Sequence, residues 1–423
     1  MKKVLVIAYY WPPAGGPGVQ RWLKFITYLR DFNVEPVLYI PKNPHYPIQD
    51  ASLLKEIPEG ITIYEQPIFE PYALASVFSS KKTKRISSGL IQTKKQSIVE
   101  KLFLWIRGNL FIPDARKFWV KPSITFLEGV LEKEKIETVI TTGPPHSVHL
   151  IGLGLKEKLD IRWVTDFRDP WTTIGYHKKL KLTKASQKKH KQLESKVLNT
   201  ADTVIVTSAT TKAEFTAITK KPIEVITNGY DVSTSNTEVL DTEFTMAHIG
   251  SLLTGRDPNN LWQALSELVT ENEKFKTHFK LQLVGVVSDD VLENITKHGL
   301  ISNTKIVGYL SHKKAISFQR KSQVLLLIEI DAEETKGIIP GKLFEYMAAG
   351  RPILGIGPKN WDVGQLISET NTGKAFLYDN KEALKEVIVK WFKLYLKGEL
   401  KNTSENIEKY SRKALTEQLA KHL

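Results

Sequence analysis

The sequence predicts an α/β protein made of two doubly wound domains, and three observations carry that prediction. Short β-branched apolar runs alternate with longer helical patterns through nearly all of the 423 residues. The runs are continuous and bounded by Gly or Pro, the signature of parallel strands covered on both faces. A polar stretch with no apolar period, "DVSTSNTEVLDTE" at 231–243, divides them into two sets.

Length agrees, because a chain of this size exceeds one ordinary core and two domains of about 200 residues each are expected. The first set of strands is "KVLVIAYY", "PVLYI", "TVITT", "RWVTDF", "DTVIVTS" and "IEVITNG". The second is "TMAHIGS", "FKLQLVG", "TKIVGYL", "QVLLLIEI", "RPILGIG" and "GKAFLY". The expected domains are 1–230 and 244–403, with 231–243 as linker. The pattern from about 380 onward is helical, and 404–423, ending "YSRKALTEQLAKHL", suits a helix packed against a domain. No repeat of 20–50 residues is present.

Composition bounds the function. A hydrophobic share of 41% with 25% charged residues is globular rather than disordered. The absence of cysteine excludes disulfides, thiolate metal sites and cysteine nucleophiles, and fits a reducing compartment. "MKKVLVIAYYWPP" is basic then apolar, but its run ends in aromatic-Pro-Pro instead of a small-residue cleavage site. It reads as a first buried strand. No run approaches the ~18–20 apolar residues that cross a bilayer. A soluble, cytoplasmic protein is the expectation.

The net charge of +14 is unevenly placed. Residues 81–101 hold seven Lys or Arg against Glu100, and 177–196 hold eight lysines against Glu194. Such runs are either solvated helix faces or surfaces that attract nucleic acid, anionic lipid or anionic substrate. In "KLFLWIRGNLFIPDARKFWVKP" at 101–122, Trp, Phe and Leu interleave with Lys and Arg. That stretch is either a core helix and loop or an interfacial element on a membrane. No nucleic-acid recognition module accompanies the charge, so nucleic acid is not an expected partner.

The motifs sit where strands end. The first strand runs into "WPPAGGPGVQRW", where Gly15, Gly16 and Gly18 precede a helix expected near Val19. Glycines let backbone N–H groups approach phosphate oxygens, and the helix dipole favours an anion there; glycines also simply make tight turns. The spacing is neither G-x-G-x-x-G nor a P-loop. "TTGPPHSVH" presents His146, and "VTDFRDPW" places Asp166, Arg168 and Asp169 beyond a buried strand, where they are expected to point into the inter-domain cleft. An internal Asp–Arg pair shaping the loop is the alternative there. In "HIGSLLTGRDPNNL", Arg256 is suited to a phosphate and Asp257 to capping the next helix. In "GIIPGKLFEYMAAGRPIL", Gly341 and Lys342 open a helix that stops at Gly350, and Glu345 is its only carboxylate, able to accept from sugar hydroxyls.

In this order and spacing, "YYWPPAGGPGVQR", "TTGPPHSVHLIG", "TDFRDPWT", "VITNGYD", "HIGSLLTGRDP", "VGYLSHKKAI" and "PGKLFEYMAAGRPIL" resemble the group-1 (family-4-type) glycosyltransferases of GT-B fold. The resemblance runs along nearly the whole chain. It implies two Rossmann-like domains facing across a cleft, an acceptor-binding N-terminal domain, a donor-binding C-terminal domain, and a last helix returning to the first domain. It also implies retention of configuration, no cofactor and no metal, with cations and helix N-termini neutralising the diphosphate.

Residue by residue, Gly15 and Gly16 match the glycine turn near the donor phosphates. Arg256 falls at the lysine of the family's phosphate pair, whose arginine position holds Ser251. Glu345 matches the second Glu of E-x7-E, on the ribose, and Lys342 supports the phosphates. The first Glu of that motif is Gly337 here, with Glu333 and Glu334 nearby. His146, Asp166 and Arg168 are the expected catalytic group; Gly15, Gly16, Arg256, Gly341, Lys342 and Glu345 the expected donor site. The implied function is sugar transfer from a nucleotide-sugar to a cell-envelope or polysaccharide precursor. That acceptor would be lipid-linked or otherwise anionic, met at the inner face of an anionic membrane. The alternatives are a non-catalytic GT-B-like binding protein and a nucleotide-sugar epimerase.

Overall fold

The structure, a computed structural model, describes residues 1–71, 98–231 and 238–423. The basic run at 81–97 and positions 232–237 of the expected linker lie outside the described residues. Two compact units emerge: 1–228 with 412–423, and 229–411.

The first unit holds a seven-stranded parallel sheet. Its strands are β1 (Lys2–Ala8), β2 (Val34–Lys42), β3 (Thr62–Pro67), β4 (Thr138–Gly143), β5 (Arg162–Phe167), β6 (Thr203–Val206) and β7 (Ile223–Val225). They lie in the order β3-β2-β1-β4-β5-β6-β7. β1 is central because Val4–Ile7 are apolar on both faces and wholly buried, with Val6 opposite Leu38 on one side and Ile140 on the other. Strand order reverses between β1 and β4, so a crevice opens at their carboxyl ends. β3 was not expected. It is an edge strand, "TIYEQP", half in solvent and lacking the apolar run that marks its neighbours.

The second unit repeats the design with β8 (Phe244–Ile249), β9 (Phe279–Val284), β10 (Thr304–Gly308), β11 (Val324–Ile328), β12 (Ile353–Ile356) and β13 (Gly373–Phe376). Their order is β10-β9-β8-β11-β12-β13, all parallel, with the reversal at β8.

The helices that matter for the site are α1 (Pro17–Leu29), α2 (Ile98–Leu110), α3 (Lys117–Glu134), α4 (Ser147–Lys156), α5 (Lys184–Thr200), α6 (His312–Lys321), α7 (Lys342–Ala349) and α8 (Arg412–Ala420). α1 buries Val19, Trp22, Leu23, Ile26 and Leu29 along one stripe against the sheet. The continuous C-terminal helical pattern breaks: a helix at Lys381–Leu396 ends near Gly398, whose φ of 70° suits glycine, and α8 starts only at Arg412. α8 packs in the first unit, where Leu415, Leu419 and Leu423 enter the core. Among the described residues no helix is long and apolar enough to cross a membrane.

Candidate functional site

In the first unit the expected groups collect at the carboxyl ends of β1, β4 and β5. The chain leaves β1 through Trp11–Gly15, pinned by Gly15 N–H to the Ile48 carbonyl (3.0 Å) and Asp50 N–H to the Pro13 carbonyl (2.8 Å). Gly16 sits at φ 109°, a conformation that favours glycine, and directly precedes α1, whose N-terminus has no side-chain cap. Gly18 is required by contact, since a Cβ there would overlap the Arg168 guanidinium.

Arg168 does not project freely from the end of β5. Its Nε donates to the Gly143 carbonyl at 3.2 Å and its Nη2 to the Pro144 carbonyl, so it staples the turn after β4 against α1. Asp166 corrects the expectation of an outward-pointing group. It is wholly buried and accepts from Arg21 Nη2 (2.9 Å), Trp22 Nε1 (2.7 Å) and Thr142 Oγ1 (2.8 Å). Burial pushes its carboxyl up, but the Arg21 charge and the hydrogen bonds outweigh it and hold the carboxyl below its ordinary value. Arg21 also donates to the carbonyls of Ile226 (2.9 Å) and Thr227 (2.6 Å). The pair therefore joins α1, β5 and the end of β7, the internal Asp–Arg reading moved one partner along. Asp169 remains half-buried at the rim, its carboxyl raised by burial against the opposing Arg168 charge.

His146, the residue before α4, lies flat on Trp171, with ring centroids 4.9 Å apart and planes 2° apart. Neither ring nitrogen has a hydrogen-bond partner among the described residues. Burial holds it neutral, well below its ordinary pKa. His149, His177 and His190 are buried nearby and shifted the same way by burial, His149 to about 3 and His177 to about 4. Asp114 caps α4, accepting from Ser147 N–H at 2.9 Å. A second charged knot went unforeseen: Arg116 lies 3.2 Å from Glu70, and both meet Tyr9, the first residue after β1. These residues are far apart in sequence, so no local pattern announced them.

In the second unit β8 and β9 are followed directly by Gly250 and Gly285, at φ 126° and 114°. A Cβ on Gly285 would stand 2.6 Å from the Gly250 carbonyl oxygen, so the turn after β9 can stack on the turn after β8 only with glycine at 285. The Lys342 ammonium lies above Gly250, where a Cβ would stand 2.9 Å from Nζ. Lys342 opens α7 after Gly341 and has no hydrogen-bond acceptor among the described residues. Burial, then the Arg256 charge, pushes its pKa down to about 8.

Arg256 donates through Nε (3.0 Å) and Nη2 (2.8 Å) to Glu329, a buried carboxylate just beyond β11. Glu329 was not singled out in sequence; a lone acid closing the apolar run "VLLLIE" is the signal it left. Asp257 does not cap the helix Asn259–Glu271 but accepts from Trp262 Nε1 (2.6 Å) and Asn294 Nδ2 (2.9 Å). Glu345, in the first turn of α7, is held by His312 Nε2 (3.0 Å) and Gln319 Nε2 (2.9 Å) of α6. Gly350, at φ 67°, stops α7. Gly337 keeps no carboxylate at its position, and Glu333 is exposed and paired with Lys336.

Two parallel doubly wound sheets in this order, each with a glycine turn at its switch point, define the GT-B fold of glycosyltransferases. The whole chain superposes on TarM (TM-score 0.62, 14% identity, 100% of this chain and 98% of that one). It superposes similarly on sucrose-phosphate synthase from Thermosynechococcus elongatus (0.61, 14%, 100% and 98%). The same holds for HepE from Anabaena in complex with UDP-glucose (0.58, 13%, 100% and 99%). No curated protein sequence matches. Residues 95–234 match the sequence model of Glycosyltransferase Family 4. The chain has the GT-B fold, and its residues 95–234 resemble Glycosyltransferase Family 4.

Proposed function

We propose that this chain is a glycosyltransferase that takes its sugar from a nucleoside-diphosphate donor held by the second unit. The acceptor is a cell-envelope or polysaccharide precursor received by the first unit. The observation that carries the reading is Lys342: a half-buried ammonium without a hydrogen-bond acceptor among the described residues, set over Gly250 at the end of β8. Burial and the Arg256 charge disfavour that ammonium more than the Glu329 and Glu345 carboxylates favour it, so an anion bound beside it would restore its charge. A donor diphosphate has the right charge, and the start of α7 adds its dipole.

In transfer the bond from the sugar's anomeric carbon to the diphosphate breaks, and an acceptor oxygen bonds to that carbon. The acceptor's proton leaves with the phosphate. Lys342 and Arg256 then stabilise the charge that collects on the leaving diphosphate, without a metal. Glu329 keeps Arg256 in place while Arg256 Nη1 remains uncommitted among the described residues. Glu345 receives the ribose hydroxyls once it exchanges His312 or Gln319 for them. Retention follows from the family-4 resemblance. A soluble protein in peripheral contact with an anionic membrane completes the reading.

The test is a panel of nucleotide-sugars with released UDP or GDP as readout. Lys342→Ala and Arg256→Ala should each lower turnover about 100-fold, Lys342→Ala leaving the melting temperature in place and Arg256→Ala lowering it because Glu329 loses its partner. Wild-type rates in both variants would remove the site assignment. Gly337, in place of a carboxylate, favours one second reading, a nucleotide-sugar binder without turnover. Nucleotide release with any donor and acceptor pair excludes it.

A further inference from the structure

We propose that the outward face of α2, continued by the start of α3, is a docking surface for the anionic face of a lipid bilayer. It would bring a lipid-linked acceptor to the carboxyl rim of the first sheet. The second half of this inference rests on the glycosyltransferase reading; the docking itself does not.

α2 is built the wrong way round for a helix of a water-soluble domain. Leu104 and Gly108 face inward, and Gly108 packs so closely on Leu180 and Leu182 that a Cβ would meet them within 3.0 Å. Outward it shows Leu102 (56% exposed), Phe103 (44%), Trp105 (40%) and Leu110 (55%). The apolar surface continues through Phe118 and Phe69, 43% and 56% exposed, with ring centroids 5.6 Å apart. The Lys117 ammonium lies 5.2 Å from the Phe118 ring and 5.4 Å from that of Phe111. A contiguous exposed patch of this kind marks an interaction surface.

Charge selects the occupant. Asn109, at the end of α2, accepts from Thr183 N–H at 2.8 Å and donates to the Lys181 carbonyl. It thereby ties the patch to the start of α5, where Lys181, Lys184 and Lys188 are exposed. The one acid of that stretch, Glu194, is buried and accepts from Thr172. What remains outside is aromatic and cationic, the pairing that suits an anionic lipid interface.

The place matters as well. Phe69 and Lys117 are chain neighbours of Glu70 and Arg116, the pair that meets Tyr9 at the end of β1. A lipid anchored on the patch would therefore hold its headgroup beside the rim where Gly15, Gly16 and Arg168 lie.

The test uses the whole protein with vesicles of phosphatidylcholine alone or with about 30% phosphatidylglycerol, read by co-sedimentation at low and physiological salt. Wild type should bind the anionic vesicles. Phe103→Ser with Trp105→Ser should weaken binding about tenfold at every salt concentration, and Lys181→Gln with Lys184→Gln should weaken it most at low salt, the difference from wild type closing as salt rises. Matching melting temperatures would show that the variants fold. Failure of wild type to bind, unchanged binding in the aromatic variant, or self-association that this variant abolishes would each overturn the docking. Nucleotide release with a short water-soluble acceptor, measured in parallel, should be the same in all variants. Its absence in wild type, with vesicle binding intact, would count against the transferase reading alone.

Discussion

The Lys342 ammonium rests on the backbone of Gly250, close enough that a methyl group at 250 would stand 2.9 Å from its nitrogen. The turn after β8 and the first residue of α7 are thus fitted to each other through the absence of a side chain. Gly250→Ala should both strain a φ of 126° and displace the ammonium. We expect donor affinity, measured calorimetrically, to fall about tenfold or more with the fold intact. Undiminished affinity would mean that Lys342 does not touch the donor.

The pH dependence of donor binding follows from the same lysine. Burial beside Arg256 lowers its pKa to about 8, so the ammonium is charged below that value and neutral above it. Affinity for a diphosphate should therefore hold below about pH 8 and fall as pH rises beyond it. Lys342→Met should bind more weakly at neutral pH and lose this slope. A slope that survived in the Met variant would assign it to another group.

Asp166 is expected to matter for folding more than for chemistry. Its partners Arg21, Trp22 and Thr142 leave it no free edge, and replacing one member of a buried ion pair costs about 3–5 kcal/mol. Asp166→Asn should lower urea stability of the first unit by an amount of that order. Full stability combined with lost turnover would return Asp166 to the catalytic group.

The histidines around Trp171 make the first unit sensitive to acid. His146, His149, His177 and His190 all have pKa values depressed by burial in the folded state. The unfolded chain thus binds protons first. Their stability is complete above the ordinary value near 6.5 and is lost as pH falls towards about 4 for His177 and about 3 for His149. Each contributes a slope of about 1.4 kcal/mol per pH unit within its window. Denaturant midpoints at pH 7.5 and pH 5 should differ accordingly, and His149→Gln should reduce the difference. Equal midpoints would place solvent at these rings.

The strands were legible because burial on both faces writes a run that needs no partner to be read, as in "KVLVIA" and "QVLLLI". β3 was not, since an edge strand half in water carries no such run. Among site residues, the glycines and Lys342 were legible from their places at strand ends and helix starts. The direction of Asp166 was not, because it depends on Arg21, a charge set in the apolar stripe of α1 and 145 positions away. Glu329 and the Glu70–Arg116 pair were hidden for the same reason: their meaning lies in partners that only the folded chain supplies.

The return of α8 to the first unit also sets an order in time. Leu415, Leu419 and Leu423 complete a core begun by β1, yet the ribosome makes them only after the entire second unit. Until then the first unit carries an uncovered apolar groove along α1. A transcript cut short anywhere in the second unit would leave that groove open, even with every strand of the first sheet already made. Such a chain is a substrate for chaperones and proteases. The first unit thus cannot finish folding before the second has been made, which ties the supply of one unit to that of the other.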